Sequence, residues 1–204
     1  MGYVGIVQIE GSNSRSVHNS LTSLGIEARF VNTEKSIANS DKLILPGVGH
    51  IASVVFEIEK LELRQSILAF AKKGNFLLGI CLGTHLLGTL SDESSTTKTL
   101  GLLDFTVSKL DALPDQGFRI PHVGWNTIEY STSHSLLNKI PSGTDFYFSH
   151  SYGIRSNPSF ELAKTRHLDD FSSVVGRDNV FGVQFHPEKS QKMGSTLLSN
   201  FCEL

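Results

Sequence analysis

Apolar positions along the chain follow two rhythms. In the first half, Tyr3–Ile9 and Phe76–Ile80 read as apolar runs of the kind found in parallel strands covered on both faces. Between them the spacing turns helical. Val17, Leu21 and Leu24 share one face of a helix over Ser14–Leu24, with Gly25 as its stop. Val54, Val55, Ile58 and Leu61 do the same over Ile51–Lys73, a single helix ending at Gly74. Glu27–Val31 and Lys42–Leu45 are short strands, and a helix over Leu82–Leu90 follows the run that ends at Ile80. This β-α-β alternation implies right-handed crossovers and a parallel sheet with helices on both sides.

The second half has a different texture. Val123–Tyr130, Asp145–His150, Glu161–Thr165, Ser172–Arg177 and Val180–Phe185 are short strand candidates separated by turn residues, which suits antiparallel additions to a parallel core. Gly194–Leu204 reads as a closing helix. There is no internal repeat, low-complexity tract or linker. The expectation is one α/β domain over residues 1–204, with a mostly parallel central sheet flanked by helices and extended by antiparallel strands.

Composition narrows the function. Of 204 residues, 39% are hydrophobic and 19% charged, and the formal net charge is −2. Without a basic excess there is no footprint for a nucleic-acid backbone. No apolar run approaches the roughly 20 residues that span a bilayer, so no membrane partner is expected. A strand reads from Tyr3 onward, so no signal peptide is expected, and two cysteines in unlike contexts, Cys81 and Cys202, suit a reducing cytoplasm. His122 and His150 lack the spacing of a zinc site, so neither metal nor cofactor is expected.

Three segments carry candidate chemistry. Gly79-Ile80-Cys81-Leu82-Gly83 lies at a strand-to-helix turn, the setting of a nucleophile elbow. Flanking glycines permit the sharp turn, and the helix N-terminus behind the sulfur favours its thiolate. Alone, the pattern fits a buried structural cysteine equally well. Phe185-His186-Pro187-Glu188 follows a strand, where alternation points His186 and Glu188 the same way, so that one imidazole nitrogen faces a thiol while the other donates to the carboxylate. Leu45-Pro46-Gly47-Val48-Gly49 follows another strand, and alone it is an ordinary βα turn. At the same sheet edge as Cys81, however, its backbone N–H groups and that of Leu82 can form an oxyanion hole.

Together with Pro121-His122-Val123-Gly124-Trp125-Asn126, His150-Ser151-Tyr152 and Lys189-Ser190, these segments resemble the triad (class I) glutamine amidotransferases, a flavodoxin-like fold, from about Tyr3 to Phe201. More narrowly they are similar to the glutaminase subunits of imidazole glycerol phosphate synthase. The resemblance implies a Cys81–His186–Glu188 triad that hydrolyses glutamine. It implies oxyanion donors at Gly47, Val48 and Leu82, and a glutamine pocket lined by Gly49, His85, His150, Ser151 and Tyr152. It further implies a TIM-barrel cyclase partner that receives the ammonia in histidine synthesis, docked on a face bearing Asn13, Trp125 and Lys189. A peptide flip in the Gly47–Val48 loop would then keep the free chain nearly idle.

Two positions depart from the family's pattern: Ser12 stands where a glycine is usual, and His85 where the family carries a glutamine that holds substrate. They leave open a paralogue that supplies ammonia for sugar amidation in surface polysaccharides, or a degenerate binding module. Trp125 by itself suits core and interface equally, and the resemblance favours the interface. Cys202 is expected to pack, and Ser91–Thr99 to form a flexible loop.

Overall fold

A computed structural model describes residues 2–94, 97–113, 115, 117–155 and 159–204. The first half runs β1 (Val4–Val7), α1 (Ser14–Ser23), β2 (Ala28–Val31), α2 (Glu34–Ala38), β3 (Lys42–Gly47), α3 (Ile51–Lys60), α4 (Arg64–Lys72), β4 (Leu77–Cys81) and α5 (Leu82–Leu87). The second half adds β5 (Leu90–Ser91), β6 (Thr106–Lys109), β7 (His122–Ile128), β8 (Thr144–His150), β9 (Tyr152–Arg155), β10 (Glu161–His167), β11 (Asp169–Arg177), β12 (Val180–Val183) and α6 (Gln191–Glu203). Strand order in the main sheet is β2-β1-β3-β4-β12-β11-β9-β6-β5, with β10 beside β11, while β7 and β8 form a separate antiparallel ribbon.

The parallel block comprises β2, β1, β3, β4 and β12. Its pleat divides the core in two. Leu43, Leu45 and Leu77 point to one side and pack with Ile37, Val54, Ile58, Ile67 and Phe70 from α2, α3 and α4. Ile44, Leu78 and Ile80 point to the other, against Val17 and Leu21 of α1, Leu197, Leu198 and Phe201 of α6, and Phe146 and Phe148 of β8. Alternate residues of one strand thus serve opposite layers, which is why these runs carry no polar face. Removing such a side chain, as in Leu78→Ala, is expected to cost about 2–5 kcal/mol.

Four local expectations need correction. The helix expected over Ile51–Lys73 is two, because the chain turns at Glu62 with φ 55° and drives Leu63 fully into the core. No glycine or proline marks that break. The helix expected over Leu82–Leu90 ends at Leu87, after which Leu90 and Ser91 pair with Thr106 and Val107. Ser91 is therefore a strand residue rather than part of a loose loop, while residues 95 and 96 of that stretch lie outside the described residues. The strand expected over Val180–Phe185 ends at Val183, and Pro187–Lys189 is a 3₁₀ turn. Strands β6 and β9, short and irregular in pattern, were not anticipated. Among the described residues, no helix is long and apolar enough to cross a membrane.

Candidate active site

Register brings the chemical segments together. β3 and β4 run parallel with Gly47 opposite Cys81, so the Gly47–Gly49 loop begins beside the sulfur. On the other side β12 runs parallel to β4 with Val183 opposite Ile80, which delivers Gln184 to Glu188 to the same edge. The site thus lies at the carboxyl ends of parallel strands, where open α/β sheets place their ligands.

Cys81 occupies a strained turn. Its φ of 54° and ψ of −109° lie where L residues rarely sit, at a cost of order 1–3 kcal/mol that the packed elbow must offset. A Cβ on Gly83 would stand 1.7 Å from the Leu45 carbonyl oxygen, and one on Gly79 2.6 Å from that of Gly83. Both glycines are therefore required by backbone-to-backbone approach. The sulfur lies 4.0 Å from the Ser149 carbonyl oxygen and 4.0 Å from the Gln184 amide nitrogen.

His186 Nδ1 donates to Glu188 Oε1 at 2.8 Å, which leaves Nε2 for the Cys81 thiol. The pair meets through the 3₁₀ turn rather than through strand alternation: Pro187 begins the turn, and Glu188 folds back on His186. The His186 amide is anchored to the Tyr147 carbonyl oxygen at 2.8 Å. Burial pulls the imidazole toward neutrality. Hydrogen bonds and charge at Cys81 and Glu188 overcome that pull and raise its pKa to about 10, so the ring holds its proton. Asn13 Nδ2 also donates to Glu188 Oε1, at 2.6 Å. That inward contact was not part of its expected partner-facing role.

The triad opens on a pocket of 290 Å³ whose walls include Val48, Gly49, Leu82, Glu93, Pro121, Ser149–Tyr152 and Lys189. Apart from Gly47, which pairs with Cys81 beneath the loop, and from Asn13 and Trp125, every candidate site residue lines it or forms the triad. A larger hollow, 680 Å³, lies between residues 129–134 and 161–164, but its imidazole, His134, accepts the Leu136 amide as a helix cap. The smaller pocket holds the reactive groups.

His85 is buried in the wall with Nε2 2.8 Å from Gln184 Oε1, and its Nδ1 has no hydrogen-bond partner among the described residues. Desolvation, opposed weakly by Gln184, lowers its pKa to about 4, so it is neutral and donates through Nε2. His150 has no free nitrogen. Its Nδ1 donates to the Tyr152 carbonyl at 2.8 Å, so its Nε2 accepts from His122 Nδ1 at 2.9 Å. His122 Nε2 then accepts from Asn126 at 3.1 Å. The His150 side chain therefore shapes the wall without offering a hydrogen bond to a ligand. Desolvation first, and neighbouring imidazoles second, push both His122 and His150 down, His122 to about 4.

Sequence reasoning missed three contributors. Glu93 sits in a stretch read as a loop, yet its Oε2 accepts the Ile51 amide at 3.1 Å and it reaches the pocket. Gln184 lies in the strand read over Val180–Phe185 and His122 in the Pro121–Asn126 segment, both noticed for other residues, and a polar residue next to a candidate motif was the available signal. Trp125 and Val123 are half exposed on the β7–β8 ribbon, so Trp125 is not a core residue. Lys189 Nζ lies 5.7 Å from the Tyr147 ring centre, and Tyr147 also packs edge-on against Trp125.

Comparisons with known proteins identify the family. The Glutamine amidotransferase class-I family model matches residues 6–204. The chain is 38% identical over 202 residues to imidazole glycerol phosphate synthase subunit HisH of Buchnera aphidicola subsp. Acyrthosiphon pisum, covering 99% of this chain and 100% of that relative. It is 37% identical over 193 residues to the same-named subunit of Escherichia coli (strain K12), covering 95% of each. Among solved structures, a crystal structure of a glutamine amidotransferase superposes with a TM-score of 0.76 at 21% identity, covering 98% of this chain and all of that one. The PurLQS structure from Thermotoga maritima gives 0.74 at 20% identity, covering 100% and 99%. At such identities these last two speak to the fold alone.

Proposed function

The chain belongs to the class-I glutamine amidotransferases, and from that premise we propose that it is the glutaminase subunit of an imidazole glycerol phosphate synthase. The observation that carries the chemistry is His186, hydrogen-bonded to Glu188 and set beside Cys81 at the mouth of a 290 Å³ pocket. The sulfur of Cys81, its proton held by His186, attacks the side-chain amide carbon of glutamine. Backbone N–H groups of Val48 and Leu82 meet the oxygen that becomes negative. As the tetrahedral intermediate collapses, His186 gives its proton to the departing nitrogen and ammonia leaves. The neutral imidazole then takes a proton from water, whose oxygen attacks the thioester. Glutamate departs, and the proton returns to the Cys81–His186 pair. Glu188 keeps His186 in the one tautomer and orientation that serve both transfers.

The pathway and partner rest on the relatives. Full-length similarity to HisH subunits supports histidine biosynthesis over amidation of polysaccharide sugars, and the assembled triad speaks against a degenerate binding module. In this reading the ammonia passes to a TIM-barrel cyclase seated over Trp125, Val123 and Lys189, exposed beside the pocket. A half-exposed tryptophan next to the reactive edge suits an anchor of that kind. Glycines at 47 and 49 make a rearrangement of the Val48 peptide cheap, so the free chain turns glutamine over slowly and the docked, substrate-loaded cyclase favours the competent state.

Glutamate release by the chain alone and with saturating cyclase and its substrate tests this. Restoring one oxyanion donor is worth about 10²–10³ in rate, and stimulation of at least that size is expected. Stimulation below about tenfold would mean a preformed hole or a different partner.

A further inference from the structure

Asn13 stands at the N-cap of α1, where an asparagine side chain ordinarily accepts a backbone N–H of the first helical turn and stabilises the helix by about 1 kcal/mol. It makes no such bond. Its Oδ1 has no partner among the described residues, and its Nδ2 reaches 175 positions along the chain to Glu188 Oε1, at 2.6 Å. The same nitrogen lies 3.4 Å from His186 Nδ1. An N-cap residue that forgoes its helix for a fully buried carboxylate has a role there.

We propose that Asn13 is a positioning residue of the triad, holding Glu188 against His186 and through them tying the loop after β1 to the reactivity of Cys81. Glu188 Oε1 accepts two N–H groups, one from His186 and one from Asn13, whose short contacts fix the carboxylate in the turn. Without Asn13, the carboxylate can rotate about its last torsion, and Oε1 loses the donor that pins it. His186 then loses the orientation that points Nε2 at the sulfur. A side chain that touches neither substrate nor sulfur can thus govern the chemical step, as outer partners of histidine–carboxylate pairs do elsewhere. The inference rests on the triad reading given above, and it adds a residue that would otherwise be assigned to the partner face.

The test combines two readouts. With saturating cyclase and its substrate, Asn13→Ala should lower kcat for glutamate release by about 10–100-fold while KM for glutamine stays within about twofold. In a Glu188→Gln background the same change should cost less than about threefold, because the group it positions is already impaired. Asn13→Asp, which sets a second carboxylate against Glu188, should be worse than Asn13→Ala. Multiplicative losses in the double variant, or full kcat at saturating partner, would assign Asn13 to docking alone and overturn the proposal. The second readout is the pH dependence of Cys81 alkylation by iodoacetamide in the free chain, followed on the Cys81 peptide. Its half-maximal point should move upward in Asn13→Ala, with thermal stability tracked to exclude unfolding. An unmoved profile in a folded variant overturns the proposal. If the wild-type chain released no glutamate at all, the functional reading would fall while the alkylation profile still decided the role of Asn13.

Discussion

Two walls of one pocket treat the same side chain in opposite ways. On the triad wall, His186 is buried, yet Cys81 and Glu188 hold its proton on. Elsewhere around the pocket, His150, His122 behind it and His85 are also buried but meet only neutral partners: the Tyr152 carbonyl and one another for the first two, with the Asn126 amide beside His122, and the Gln184 amide for His85. Burial alone would strip the proton from all four. Cys81 and Glu188 reverse the outcome at His186, so its partners, more than its burial, set its charge and suit it to the proton transfers proposed for it. The other three serve as neutral hydrogen-bonding struts.

The comparison breaks most completely on the triad side. Cys81→Ala or His186→Ala should remove glutamine-dependent turnover by a factor on the order of 10⁶, and Glu188→Gln by about 10⁴, as in related triads. Ammonium added to the Cys81→Ala complex should still drive the cyclase, and Cys202→Ala should change little. Equal losses for Glu188→Gln and His186→Ala, measured as glutamate release, would deny them separate roles.

On the strut side the effect is on stability. The folded pKa values of His85, His122 and His150 are lowered below the unfolded value near 6.5. Unfolding therefore takes up protons as pH falls from about 6.5 toward 4, and stability drops in that window by up to about 1.4 kcal/mol per pH unit for each histidine. His186 has the opposite sign: its contribution is present below about 6.5 and fades only as pH rises toward its raised pKa. Urea titrations between pH 4 and 7.5 should show the acid slope. His122→Phe should lessen it and cost about 1–3 kcal/mol at pH 7, because His150 Nε2 is left buried without a donor. An unchanged slope would place the proton uptake elsewhere. The smallest effect on the free chain is expected at the exposed ribbon. Trp125→Ala should leave thermal stability nearly unaltered while weakening cyclase binding by about 2 kcal/mol, read by titration calorimetry.

The two halves of the chain were unequally legible. Parallel strands buried on both faces announce themselves as apolar runs, and β1 and β4 lie where such runs predict them, with β3 where a short strand is expected. The break at Glu62 was invisible because a residue with φ near 55° there needs no glycine when Leu63 gains full burial on the far side. Strands β6 and β9 are four residues each and owe their order to pairing with one another, which no local pattern encodes. At the site, the residue types and the common sheet edge could be read from Gly79–Gly83 and His186–Glu188. The means by which His186 meets Glu188, a 3₁₀ turn begun by Pro187, could not, since strand alternation predicts the same pairing. The contacts of Asn13 and His85 depend on side chains 175 and 99 positions away and lay beyond any spacing argument.

Histidine nitrogen NMR tests the contrast between the walls most directly. In the free protein at pH 7, His186 should carry protons on both nitrogens, while His85, His122 and His150 should each show one protonated and one bare nitrogen. Because Cys81 supplies part of what holds the His186 proton, Cys81→Ala should move the His186 titration downward and leave the other three unmoved. A neutral His186 at pH 7, or a titration indifferent to Cys81, would contradict the account.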